Sequence, residues 1–128
     1  MHKGVFSLIA FLGLLAVAIG AFAAHGLKPR LSEQALQWME TGNRYHFYHT
    51  LAALAAACLH NRRPTALFYY SLLAFITGIV LFSGSLYVMA LTGFTAAGIV
   101  TPLGGLSFMV GWLLLGFAVW KDFAASGH

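Results

Sequence analysis

Four long apolar runs dominate this sequence, and they limit it to one class of fold. They cover about residues 4–27, 45–60, 66–91 and 102–120. At ~1.5 Å rise per residue, about 20 helical residues cross a hydrocarbon core of ~30 Å. Lipid offers no partner to a free backbone N–H or C=O, so a helix is the form in which such runs can cross. The runs predict an all-α, four-helix transmembrane bundle, a single integral membrane domain over residues 1–128.

The composition excludes a soluble domain. Hydrophobic residues make up 60% of the chain and charged residues 8%, with a mean hydropathy of +0.82. A soluble surface needs roughly 25% charged residues. The net charge of +4 comes from basic residues at the ends of the apolar runs, where Lys and Arg meet lipid headgroups. The bilayer is therefore the expected partner, and nucleic acid is not.

The first run also has some features of a cleavable signal peptide. Lys3 precedes an apolar stretch that reaches Ala21, Phe22 and Ala23, which have the small-x-small pattern of a cleavage site. The stretch spans about 20 residues, whereas the apolar region of a signal peptide has ~7–15. We therefore expect the run to be retained as the first membrane span.

The segment between the first two runs has the pattern of an amphipathic helix. Its apolar residues follow the spacing i, i+4, i+7, i+8 of one helical face: Leu31, Ala35, Trp38 and Met39. Gly42 is a plausible C-terminal stop. The sequence predicts a short interfacial helix between helices one and two, with Trp38 at headgroup level.

The basic residues give an orientation with a margin of one. Alternating spans place Lys3, Arg62, Arg63 and Lys121 on one side, and Lys28, Arg30 and Arg44 on the other. Basic residues favour the cytoplasmic side. We expect a multi-pass protein with both termini in the cytoplasm.

Four alternating spans also bring the polar stretches to one side of the membrane. The motif RYHFYHT (residues 44–50) opens the second run, and polar residues mark the adjoining ends of the other three. Buried polar groups need partners in lipid. The sequence predicts a polar pocket near one membrane face, formed by these residues: His25, Arg44, Tyr45, His46, His49, Ser83, Ser85, Tyr87 and Thr101.

Four motifs in order carry a family resemblance. These are AFAAHGLK, TGNRYHFYHTLA, LFSGSLYVMALTG and TPLGGLSFMVGW. The chain resembles the small four-helix inner-membrane family typified by the YgdD-like proteins, a domain-of-unknown-function family with distant animal relatives among small transmembrane proteins. The usual family form of the first motif is AFGAHGL, and Ala23 replaces its Gly here. The resemblance implies four spans in a bacterial inner membrane, and it supplies no catalytic residues.

Several functions are open to such a pocket. His46 and His49 are i, i+3 neighbours and, with His25, offer imidazoles to Cu or Zn. One His from each of two helices could instead ligate haem. Hydrogen bonds to Tyr, Ser and backbone carbonyls are the plainer use of these side chains.

The sequence lacks the usual marks of an enzyme, with no nucleophile elbow, phosphate loop or intramembrane carboxylate pair. A transporter would need an oligomer, because four helices leave little room for a pathway. We expect a non-enzymatic accessory, assembly or structural component without a cofactor. Its protein partner would be a larger membrane complex or a second copy.

Overall fold

The computed structural model describes residues 2–127, and it is helical with no strand over that range. Helix α1 covers Lys3–His25, α2 covers Glu33–Arg62, α3 covers Ala66–Thr92 and α4 covers Thr101–Ala125. A 3₁₀ turn, Thr95–Ile99, leads into α4. Helix α3 contains one π-helical turn, Ile79–Ser83, between its α-helical halves.

Three segments are long and apolar enough to cross a membrane. They are α1, α3 and the segment Thr95–Ala125 that contains α4. Their helical bounds lie close to the predicted runs 4–27, 66–91 and 102–120. Helix α2 does not reach the same apolarity over the length of a span, because polar residues lie on both sides of its apolar stretch 51–59.

Helix α2 differs from the sequence prediction in where it begins. It starts at Glu33 behind the cap Ser32, whose hydroxyl accepts from the Ala35 amide at 3.1 Å, and it runs without a break to Arg62. The prediction of a separate short helix that ends at Gly42 was therefore wrong. Gly42 is buried, and the Ser83 hydroxyl donates to its carbonyl at 2.6 Å. This glycine allows α3 to approach and does not end the helix.

Helix α2 lies at the centre of the fold. It packs against α1 on one side and α3 on the other, and α4 packs mainly on α3. The main core cluster consists of small α2 residues under larger neighbours, as expected for helices that approach closely in lipid: Ala52, Ala53, Ala56, Ala57, Ile9, Leu72 and Phe75. All four alanines are buried.

The contacts between α1 and α2 set the height of the polar motif. The Asn43 amide donates to the Ala16 carbonyl at 2.7 Å, and the Thr50 methyl group faces Gly13. Residues 43–50 thus lie beside the middle of α1. They are also the middle of α2 itself, which runs from residue 33 to 62. The expectation that RYHFYHT opens a helix was wrong, because α2 begins at Glu33, eleven residues before Arg44.

Candidate functional site

A polar network joins α1, α2 and α3 beside the middle of α1 and of α2. The His46 ring, 3% exposed, lies with Nδ1 2.9 Å from the Tyr87 hydroxyl. The Asn43 amide group donates to the Ala16 carbonyl at 2.7 Å and reaches the same hydroxyl at 3.4 Å. Three helices therefore share one set of hydrogen bonds.

The chemistry of these groups fixes the direction of the hydrogen bonds. The Asn43 amide N–H donates to the Tyr87 oxygen. Nε2 of His46 is buried near the Leu12 carbonyl, without an aligned hydrogen bond, and a carbonyl can only accept. This position favours the hydrogen of the His46 ring on Nε2, and the Tyr87 hydroxyl then donates to Nδ1. A neutral His46 with its hydrogen on Nε2 matches all of these contacts.

His49 occupies a second polar site on the α4 side of α2. Its Nδ1 lies 2.7 Å from the Tyr45 carbonyl, and the Trp112 indole N–H donates to its Nε2 at 3.0 Å. A carbonyl only accepts and an indole N–H only donates, so His49 is neutral with its hydrogen on Nδ1. The ring also stacks on Phe108, with 3.5 Å between centroids. Both nitrogens of His49 are therefore engaged.

The two serines expected at the site make interhelical bonds of their own. Ser83 is fully buried and donates to the Gly42 carbonyl. The Ser85 hydroxyl lies 2.5 Å from that of Thr101, which links α3 to the first turn of α4. Like Tyr87, these residues tie helices directly to one another.

Arg44 and Tyr45 lie toward the outer surface of α2. Arg44 pairs with Glu40 one turn earlier at 2.8 Å, and about half of its side chain is exposed. Tyr45 is 38% exposed and contacts Phe82, with 4.9 Å between the ring centroids. Neither side chain faces the His46 network, because residues 44 and 45 point away from α1 on the helical wheel.

The structure does not bring His25 to the other two histidines. His25 is exposed at the end of α1, thirteen residues beyond Leu12, which is about 20 Å along a helix. His46 and His49 share one helix, and a haem would need histidines from two. Over residues 2–127, no group of three or more His, Cys, Asp or Glu side chains is placed to hold a metal ion. The donors proposed for Cu, Zn or haem are thus not gathered in this arrangement.

Sequence reasoning missed Asn43 and Trp112. Asn43 precedes His46 by three residues, so the i, i+3 rule that paired the histidines applies to it equally. Trp112 has the pattern of an interfacial anchor, yet it lies at the middle of α4 and donates to His49. Its central position in the fourth apolar run was the available signal.

Most of the chain matches one protein family. The family model described as "Protein of unknown function (DUF423)" matches residues 19–105, which include the His46 and Tyr87 network. The chain belongs to the DUF423 family. The motif TGNRYHFYHTLA and the side chains of Asn43, His46 and Tyr87 thus lie inside the matched region, and Ala16 lies just before it. No solved structure matches the chain.

Curated relatives of this DUF423 chain are membrane proteins by name. A UPF0382 membrane protein of Haemophilus influenzae is 40% identical over 122 residues, covering 95% of this chain and 98% of the relative. The UPF0382 inner membrane protein YgdD of Escherichia coli K12 is 43% identical, covering 83% and 81%. The UPF0382 membrane protein YwdK of Bacillus subtilis is 41% identical, covering 84% and 89%. The predicted resemblance to YgdD-like proteins is confirmed.

Proposed function

We propose that this DUF423 chain is a four-span protein of the bacterial inner membrane with both termini in the cytoplasm. Helix α2 crosses the membrane in addition to the three candidate spans α1, α3 and α4. Its middle lies beside the middle of α1, and its alanines are buried under α1 and α3. A helix that runs alongside one membrane span for this distance shares its depth. At 30 residues and ~1.5 Å per residue, α2 is about 45 Å long, so its polar start extends into the headgroup region.

Single-cysteine labelling tests this topology. In a Cys58→Ser background, Ser32→Cys and Thr95→Cys are expected to react with a membrane-impermeant maleimide from the periplasm. Ser126→Cys is expected to react only after the membrane is opened, because four crossings return the chain to the cytoplasm. If α2 stayed outside the bilayer, three crossings would reverse the pattern at Thr95 and Ser126.

We further propose a non-enzymatic accessory role, in which α2 docks a larger membrane protein. The observation that carries this proposal is the Glu40–Arg44 ion pair on the outer surface of α2. Arg44 lies between three and four residues from the centre of α2, about 5 Å along the axis. Ionisable groups at such depth normally face protein or water, since exposure to lipid costs at least ~2.5 kcal/mol per charge.

The residues beside the ion pair fit a protein contact. Phe47, Tyr48 and Leu51 are all exposed, and their spacing places them near Arg44 along the helix. Aromatic residues and Arg are enriched where protein interfaces are strongest. A polar group on a partner helix would satisfy Arg44 and Glu40, and the aromatic rings would pack around it. We propose no cofactor, and the internal histidines serve to hold the bundle together.

Photocrosslinking in native membranes tests the docking surface. A photoreactive amino acid at Tyr48 is expected to give one discrete adduct heavier than twice the mass of this chain. Adding Glu40→Gln and Arg44→Gln should reduce that adduct about tenfold, because the exposed pair would lose its charged contacts with the partner. Glu33→Gln with Arg30→Gln removes the same charges near the helix start and should leave the adduct unchanged.

Two results would contradict the accessory role. Crosslinking to lipid alone would mean that the surface faces the bilayer. An adduct at twice the chain mass would mean that the surface joins two copies.

A further inference from the structure

A groove at the opposite end of the molecule from His25 has a different character from the central network. It lies where α2 ends, α3 begins and α4 ends, and it encloses about 610 Å³. Small-molecule sites typically measure ~300–1,000 Å³. The Arg63–Asp122 ion pair, 2.9 Å long, joins the end of α2 to the last turns of α4 and fixes one wall.

The charge of this groove is positive. Arg62, Arg63 and Lys121 line it together with one acidic residue, Asp122. Asp122 pairs with Arg63. Neither Arg62 nor Lys121 has a carboxylate within ion-pair distance over residues 2–127. The first turn of α3 also opens onto the groove and adds the partial positive charge of a helix N-terminus. The groove therefore favours an anion.

The groove also has apolar lining residues. Pro64, Leu67 and Ala118 line it together with the basic residues, and Ala118 is buried. The groove opens beside the exposed apolar surface of α4, where Phe117 and Trp120 are more than half exposed. A soluble anion would use only the basic residues, whereas a phospholipid would also cover the apolar ones.

We propose that this groove binds one anionic phospholipid. Its headgroup phosphate lies between Arg62 and Lys121, and the first part of an acyl chain lies along Leu67 and Ala118. The basic residues are placed at the ends of the lipid-facing helices, where a headgroup would be. This site is independent of the docking surface on α2, which lies a third of the way along that helix.

Native mass spectrometry of the full chain, released from nanodiscs of equimolar phosphatidylcholine and phosphatidylglycerol, tests the site. The wild-type chain is expected to retain one phosphatidylglycerol with a preference of roughly 30-fold, since each basic residue near a membrane surface strengthens anionic lipid binding about fivefold. Arg62→Gln with Lys121→Gln should bring the preference close to parity. Lys28→Gln with Arg30→Gln removes equal charge at the other end and should keep it.

Three outcomes would overturn the proposal. One is the absence of a phosphatidylglycerol preference in the wild-type chain, a measurement that needs no variant. A second is an equal loss in both double variants, which would indicate a general charge effect. The third is displacement of the lipid by added inorganic phosphate, which would indicate a site for the phosphate group alone.

Discussion

Replacing Gly104 by alanine is expected to lower the free energy of unfolding by about 1–3 kcal/mol. A Cβ at this position would lie 2.7 Å from the Cα of Phe82 and would also meet the Phe82 backbone nitrogen. A backbone cannot rotate away as a side chain can, so α3 and α4 must separate. Separation weakens every contact between the two helices, including the Ser71 hydroxyl bond to the Gly111 carbonyl at 3.0 Å. Reversible unfolding in mixed micelles measures the change.

Gly116 provides the matched control on the same helix. No atom lies within 4 Å of a Cβ built there, so Gly116→Ala is expected to be neutral or slightly stabilising. Equal destabilisation by both substitutions would mean that an added methyl group on α4 is unfavourable wherever it lies, and it would contradict the role of the close approach of α3 and α4 at Gly104.

Replacing His49 by alanine is expected to cost about 2–4 kcal/mol of unfolding free energy. The ring is 4% exposed, so its removal leaves a cavity beside Phe108. The Trp112 indole N–H loses its acceptor at the same time. His49→Gln keeps an acceptor of similar reach and should recover part of the loss. The same micelle unfolding assay applies, with the near-ultraviolet signal of Trp112 as a local reporter.

His25→Ala separates this packing role from metal binding. His25 is exposed, so its removal should change the unfolding free energy by less than ~0.5 kcal/mol. If His25, His46 and His49 formed one metal site, both alanine variants would instead lose bound metal together. Elemental analysis of the purified variants distinguishes the two results, and a joint loss would contradict the structural role of His49.

The ends of three helices could be predicted from the sequence because polar residues end their apolar runs. The exposed residues His25 and Lys28 mark the end of α1, and Thr101 with Pro102 marks the start of α4. The start of α2 could not be predicted in the same way. The polar residues from Glu33 onward have the pattern of a surface helix. Gly42 packs against α3 within one continuous helix, and a contact between residues so far apart in the sequence cannot be predicted from the local pattern.

The sequence predicted which helices share polar contacts at the candidate site, but it did not predict where those contacts lie along α2. Counting alternating helices brings the second and third helices together, and the structure pairs His46 with Tyr87 across them. It also pairs Ser85 with Thr101. The height depends on where α2 begins, so starting that helix near residue 45 placed His46 and His49 at a helix end, whereas they lie at the middle of α2. His25 was grouped with the others for the same reason. Ser85 and Thr101 do lie near the ends of their helices, as expected.

The π-helical turn in α3 has a consequence for how that helix is read along its length. Ser71, Phe75, Ile79 and Ser83 recur every fourth residue and are all buried, and Tyr87 continues the series. In an unbroken α-helix, steps of four drift by about 40° each, which would carry this stripe nearly halfway around the axis. The wider turn at Ile79–Ser83 absorbs one residue and cancels much of that drift. Deleting one residue from the π-helical turn would rotate the part of α3 that follows it by about 100°. Tyr87 would then point away from α2.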